Sequence, residues 1–422
     1  MRQSSSYRKC GIVALIASVL LTLLSTNSAS ATVGLGTLFD PTHINEIDLT
    51  IPTDSQTSLS DPSTAKNYVA ATFSIDFGTQ TMGPLNVGIR LKGSTSLEML
   101  NQHPSFKVAF NWSTNKGNRF LGLKNLTLNA MTQDGSKLHE FGTYKLFNAM
   151  GVPASRTGWA KLNINGVSRG LYVSIESIDD IFTNNHYLDI TNHLYEAIAL
   201  NDLKPGNADG LKNTGHYLVK EGWSARSNKD DLAKLITVAN TSNLASWWTK
   251  LATVSNRSEL VKFWAIENFV GDWDSYSGPI INNHFLRSNS QGKFTMIPWG
   301  TDQTWGENRQ TQVLGDDYFF PMDKPQVGFP WVQQAFHKTV MDRGLLFRKC
   351  LAYAPCKHEY LLDLKATSAK ATSIKIVNAF KAAAIVIGNY SDVAVKQEQV
   401  RTENWVAKQQ ARVATLLKQN HL

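Results

Sequence analysis

The sequence predicts an α+β fold in two lobes, a β-rich N-terminal half carrying one helix and a mainly helical C-terminal half, with a cleft between them. Three observations predict it. Residues from about 44 to 131 alternate apolar and polar positions with the period of half-buried strands. Two β-rich runs flank Asn165-Gly166, the dipeptide that suits a type I′ hairpin turn. The second half instead carries helical spacing in "NLASWWTKLA", in "RSELVKFWAIENFVGDW" and from about residue 338 onward.

The chain opens on a secretory signal. Arg2, Arg8 and Lys9 supply a positive n-region, Gly11 to Leu24 an apolar h-region, and Ala29 to Ala31 a small-residue cleavage site. That apolar run is shorter than the ~20 residues of a membrane span, and no later stretch reaches that length. Residues 1–31 are therefore read as a signal peptide and 32–422 as the folded part, with an N-lobe about 32–197 and a C-lobe about 198–422. The expected location is outside the cytoplasm: periplasm, cell surface or medium. Losing three cations with the signal takes the formal charge from +8 to +5. The remaining basic residues are spread along the chain, with no Lys/Arg run, zinc-finger pattern or repeat, which argues against a nucleic-acid partner. Cys10 leaves with the signal, and Cys350 and Cys356 remain as an even pair that an oxidising compartment joins in a disulfide.

The elements follow in order. In "LNVGIRLKG", Val87, Ile89 and Leu91 share one face and Arg90 and Lys92 the other. In "SFKVAFNW", Phe106, Val108 and Phe110 share a face, which turns Lys107 away from it. "LKNLTLNAM" reads as a further strand. Residues 134–153 read as a helix capped by Asp134 or Ser136 and stopped by Gly151 and Pro153. After the Asn165-Gly166 hairpin, the strand pair "NNHFLRS" and "GKFTMIPW" interrupts the helical half. A long polar-faced helix from about Val395 to Gln419 closes the chain.

Three groups of residues could carry chemistry. Lys107 with Glu140, on the helix that follows, repeats the strand-Lys and helix-Glu arrangement by which protein kinases hold nucleotide phosphates. The plainer reading is two solvated charges. The stretch "GDWDSYSGPIINN" offers Asp272 and Asp274, then Asn282 and Asn283. A carboxylate can orient a hydroxyl and take its proton, and an Asn oxygen suits Mg²⁺; an Asx-rich turn would look the same. In "FTMIPWGTDQTWGEN" an apolar strand ends at Pro298 and delivers Asp302, where a kinase keeps a metal-holding carboxylate, or where an Asp simply caps a turn. The short hairpin between the last two groups brings them together. The tryptophans sit mostly in apolar runs and read as core.

Taken together these segments resemble the CotH family, the spore-coat protein H-type atypical kinases. The matching pieces are "RLKGSTS", "SFKVAF", "LTLNAMTQDGSKLHEFGTYKLFNAMGVPASR", "LNINGVSRGLYVSIESID", "LYEA", "GDWDSY" and "PWGTDQTWG", in family order. The resemblance implies a kinase-like two-lobed fold, ATP with a divalent metal (Mg or Mn), and phosphorylation of protein hydroxyls. By position, Asp274 would be the catalytic carboxylate. Arg90, Lys107, Glu140 and Glu176 would face the nucleotide, and Asp302 and Asn283 the metal. Two departures stand out. Family members often carry the metal-ligand Asn five positions after the catalytic Asp, and here Asn282 and Asn283 come later. The usual "PWD.D" reads "PWGTD", so Gly300 stands where a metal carboxylate is expected. An alternative of a different class is therefore an inactive pseudokinase serving as an extracellular binding or surface-structure protein. A metal-dependent hydrolase using the same carboxylates is a third.

Overall fold

Alternating apolar residues in the N-terminal half form seven strands that close into a barrel. They are β1 (Ile44–Thr50), β2 (Val69–Asp76), β3 (Thr81–Lys92), β4 (Ser105–Ala109), β5 (Asn125–Asn129), β6 (Thr157–Ile164) and β7 (Val167–Glu176). The order round the barrel is β1-β2-β3-β4-β5-β7-β6, and β6 returns parallel to β1. The computed structural model describes residues 33–94, 96–112, 116–198, 202–209, 216–225, 227–306, 326–327, 340–341 and 343–422. The signal read over residues 1–31 lies outside them.

The period-two pattern decides what fills the barrel. Val87, Ile89 and Leu91 of β3 meet Phe106 and Val108 of β4 in one apolar core. Strands β6 and β7 are covered on both faces. Ala160, Leu162, Ile164 and Tyr172 point into the barrel core. Trp159, Leu171, Val173 and Ile175 join a second core built mainly from helices. The expected α+β class holds. Closure of the β-rich half was not expected, because the β1–β6 pairing joins segments more than a hundred residues apart, as the Ile51 N–H bond to Asn165 Oδ1 shows (separation 114). The hairpin turn is as read: Asn165 and Gly166 both take left-handed backbone, φ 50° and 77°.

The embedded helix runs from His139 to Ala149, later than its sequence start suggested. Asp134 is the reason. Its carboxylate accepts the N–H groups of Ser136, Lys137 and His139, holding a tight loop in which Lys137 sits at φ 64°. Gly151, at φ 75°, ends the segment.

A four-stranded sheet occupies the other half. Its strands are β8 (Thr191–Ala197), β9 (Tyr217–Glu221), β10 (His284–Asn289) and β11 (Phe294–Pro298), in the order β11-β10-β8-β9. The sequence reading had recognised only the β10–β11 pair. Helices Leu244–Val254, Arg257–Val270, Leu345–Ala352, Ala354–Ser373, Ile376–Val386 and Val393–Gln419 pack around it. Cys350 and Cys356 form the expected disulfide between the Leu345–Ala352 and Ala354–Ser373 helices.

Candidate active site

Strand register places the basic residues. Lys92, at the end of β3, lies opposite Ser105, Arg90 lies opposite Lys107, and Lys107 lies opposite Thr127. Lys92 and Lys107 converge on Trp299, their ammonium nitrogens 5.4 and 5.5 Å from its ring centroid. The indole is buried, with Phe285 edge-on at 6.0 Å. It was read as core, but it also carries two cations.

Glu140 is buried on its helix, and its partners are neutral. Asn129 Nδ2 donates to Oε2 at 2.5 Å and the Tyr144 hydroxyl to Oε1 at 3.1 Å. Asn129 is itself held by the Ser105 hydroxyl at 3.1 Å, so a chain of hydrogen bonds runs from Glu140 to the residue facing Lys92. The Tyr144 hydroxyl also accepts the Gly300 N–H at 3.1 Å, tying the helix to the end of β11.

The third part is the turn after the Arg257–Val270 helix. Gly271, at φ 74°, ends that helix and delivers Asp272 into the interior and Asp274 to a half-buried position. Asp274 accepts from Asn282 Nδ2 at 3.3 Å and from Asn283 Nδ2 at 2.9 Å. The Asn283 amide also donates to the Gly300 carbonyl at 3.1 Å. Asp302 follows two residues on, its backbone carbonyl held by His139 Nδ1 at 2.7 Å. Gly300 has φ 58°, and a Cβ there would stand 3.0 Å from Asn283 Cγ and Oδ1. A side chain is therefore opposed by backbone and by Asn283 alike. Gly300→Asp is expected to cost about 1 kcal/mol of stability, which thermal melting checks.

Burial pushes Asp274 up to about 7, the hydrogen bond from Asn282 resisting and the like charge of Asp302 adding to the rise. Burial pushes Asp302 up to about 6; Lys92 pulls it down and Asp134 pushes it up. Glu140 goes up to about 7 by burial, with Lys92 opposing and Asp302 adding to the rise. Burial drives Lys107 down to about 7, with Glu196 the main charge resisting. Each raised carboxyl binds its proton more tightly folded than unfolded. That preference stabilises the fold fully below about pH 4 and is lost as pH rises through 6 to 7. The melting temperature of the metal-free protein is expected to fall between pH 5 and 7.5; a rise over that range would contradict these environments.

The sequence-predicted residues divide accordingly. Asp274, Asn283, Asp302 and Glu140 come together around Gly300 and Tyr144. Lys107 and Glu140 do not pair: no ion pair joins them, and the cation that acts on Glu140 is Lys92. Lys107 and Arg90 instead face Glu196, which Lys220 also holds at 2.8 Å. Burial works against the Glu196 charge, but Lys220 and Lys107 keep its carboxyl below the usual range. Arg90 also donates to the Leu91 carbonyl at 3.0 Å and lies 5.4 Å from the Tyr68 ring centroid. Glu176 is held by Arg156 at 2.5 Å and lies 3.1 Å from His186 Nε2. Sequence reasoning missed Lys92, Tyr144, Asn129 and Glu196. The alternation of β3 had put Lys92 beside Arg90, and "LYEA" contains Glu196, so the signals were there without the contacts. Lys92→Met is expected to raise the Glu140 and Asp302 pKa values further than Lys107→Met does; pH titrations of the two variants check this.

Comparison with known proteins gives three results. The family model described as CotH kinase protein matches residues 89–370, more than half of the chain. The inner spore coat protein H of Bacillus subtilis (strain 168) is 22% identical over 217 residues, covering 50% of this chain. The match spans 58% of that relative's own length. The solved structure of the Helicobacter pylori proinflammatory kinase CtkA aligns over 74% of this chain and 94% of its own, at 10% identity and a TM-score of 0.34.

Proposed function

The chain belongs to the CotH kinase protein family, and on that premise we propose that it is an exported atypical protein kinase. It transfers the γ-phosphoryl group of ATP to Ser or Thr hydroxyls of proteins, with Mg or Mn. The barrel, within residues 32–197, and the part from 198 on act as the two lobes. The observation that carries this reading is the cluster at the end of β11: Asp274, Asn283 and Asp302 sit around one turn, and Asp302 shares the field of Lys92 with Glu140.

The donor set fits a hard divalent cation. Among the described residues no group of three or more His, Cys, Asp or Glu is placed to hold a metal. Mg²⁺ sites in kinases commonly use one or two carboxylates and complete the shell with phosphate oxygens and water. Asp302 offers a carboxylate, and Asn283, whose amide nitrogen is spent on Asp274 and Gly300, offers Oδ1. When bound, the metal supplies positive charge to the phosphates.

Asp274, poised at about 7 and oriented by two amides, accepts the proton of the attacking hydroxyl. The hydroxyl oxygen bonds to the γ-phosphorus as the bond to the β–γ bridging oxygen breaks, and ADP carries that electron pair away. Lys92 and Lys107 lie where they can offset charge on the transferring group. The N-terminal signal supports export, and the Cys350–Cys356 disulfide agrees with it.

One observation favours a second reading. Gly300 leaves a single carboxylate where the family usually has two, as a pseudokinase acting as a binding or surface-structure module would. Incubation with γ-labelled ATP and Mg²⁺ or Mn²⁺ separates the possibilities. Label on protein hydroxyls supports the kinase, free phosphate without transfer indicates a hydrolase, and neither outcome leaves the binding module.

A further inference from the structure

The Val393–Gln419 helix carries polar residues where a core-filling helix would carry apolar ones. Gln399, Thr402 and Gln409 recur at helical spacing on its buried face and are at most 5% exposed. Buried amides and hydroxyls cost stability unless they find partners. Each of these finds one in an element that delivers the candidate active site. The helix lies beyond residues 89–370, the stretch that the family model matches.

The Arg257–Val270 helix ends just before the turn that carries Asp274, and its last four carbonyls need partners from outside it. The Glu267 carbonyl accepts the Asp272 N–H at 2.9 Å, and the Val270 carbonyl accepts the Trp305 N–H at 2.6 Å. The two between are taken by side chains of the Val393–Gln419 helix. Gln409 Nε2 donates to the Asn268 carbonyl at 2.8 Å, and Trp405 Nε1 to the Phe269 carbonyl at 3.2 Å.

The Trp405 ring also touches both turns of the site. Gly271 precedes Asp272 and Asp274, and Gly306 follows Asp302. A Cβ on Gly271 would stand 2.6 Å from Trp405 Cζ2, and one on Gly306 would stand 2.7 Å from its Cε3. The six-membered ring of the indole therefore lies against both. Arg412 backs the ring, its guanidinium 5.5 Å from the centroid. One turn earlier on the helix, the Thr402 hydroxyl bonds to His139 Nε2 at 2.9 Å, while His139 Nδ1 donates to the Asp302 carbonyl at 2.7 Å. A partner on one ring nitrogen fixes where the other points. Gln399 Nε2 donates to the Ser136 carbonyl at 3.3 Å, in the loop before the helix that bears Glu140.

We propose that the Val393–Gln419 helix sets the geometry of the kinase centre, with Trp405 and Thr402 as positioning residues. Trp405 holds the Asp274 and Asp302 turns against each other. Thr402 fixes His139, which in turn holds the Asp302 backbone. The consequence for catalysis rests on the kinase reading above; the coupling of the two turns rests on these contacts.

The test uses the full mature chain carrying Trp405→Phe, Thr402→Val or Thr402→Ser. It reads transfer from labelled ATP, the metal concentration that half-saturates ATP binding, and amide hydrogen exchange. Thr402→Val keeps the shape and loses the hydroxyl that fixes His139. The metal midpoint should then rise at least about threefold, less than the about 10- to 100-fold lost with a direct partner of a metal ligand. Thr402→Ser should restore it. Trp405→Phe should lower kcat at least about tenfold, since a misplacement of about 1 Å can cost about a hundredfold, and should raise the metal midpoint too. A merely architectural role would reduce the folded fraction, which scales kcat but leaves the metal midpoint unmoved. In Trp405→Phe the Asp272 and Trp305 amides should exchange at least about tenfold faster, while Leu91, bonded to Ala65 in the barrel, keeps its wild-type rate. Should wild type bind no nucleotide, the kinase reading falls and exchange alone decides whether Trp405 couples the turns. Should Trp405→Phe not fold, the Thr402 pair decides. An unmoved metal midpoint in both Trp405→Phe and Thr402→Val, no recovery with Thr402→Ser, or exchange that rises equally at Leu91 would each overturn the proposal.

Discussion

Asp274→Asn is expected to lower phosphoryl transfer by about 10²- to 10⁴-fold, the usual worth of a general base, while ATP affinity in the presence of metal stays near that of wild type. The reason lies in what the carboxylate touches. Its partners in the ground state are the amides of Asn282 and Asn283, and an Asn side chain keeps the shape and one acceptor oxygen for them. What it loses is the capacity to take a proton in the transition state, which appears in kcat and not in nucleotide binding. Kinetics with labelled ATP beside a separate binding titration resolve the two. A fall in affinity as large as the fall in rate would recast Asp274 as a phosphate or metal contact.

Asp302→Ala is expected to do the reverse. ATP affinity at fixed metal concentration should drop by at least about tenfold, as removal of groups at metal centres commonly does, and the dependence on metal should vanish. A second consequence follows from charge. Asp302 opposes the ionisation of both Asp274 and Glu140, so without it each should ionise at lower pH. The acid limb of any residual activity should then move to lower pH. Undiminished metal-dependent affinity in this variant would show that the β11 end does not hold the metal.

Much of the architecture was legible because it is local. The alternation in β3 and β4 gave the buried face, Asn165-Gly166 gave the hairpin, and the two cysteines gave the disulfide. Contacts made across long stretches of chain were not legible. Barrel closure depends on β6 meeting β1, and no property of either strand by itself announces that partner. The same limit explains the expected Lys107–Glu140 pair that the structure does not form. Periodicity put Arg90 and Lys92 on one face of β3 and turned Lys107 outward on β4. Only the cross-strand register and the Ser105–Asn129–Glu140 hydrogen bonds place Lys92, and not Lys107, by the helix carboxylate. The helix start was displaced for a local reason of another kind, an Asp134 side chain that takes backbone N–H groups before the helix can.

Metal-dependent nucleotide binding by the mature, unmodified chain is the most direct test of the central claim that this turn forms a kinase centre. A ligand that binds only the folded protein must raise its melting temperature in proportion to occupancy. Thermal unfolding should therefore shift upward with ATP plus Mg²⁺ or Mn²⁺, saturably, and far less with ATP or metal alone. No shift with either metal at millimolar ATP would contradict the kinase reading and leave a fold that keeps the family's residues without its chemistry.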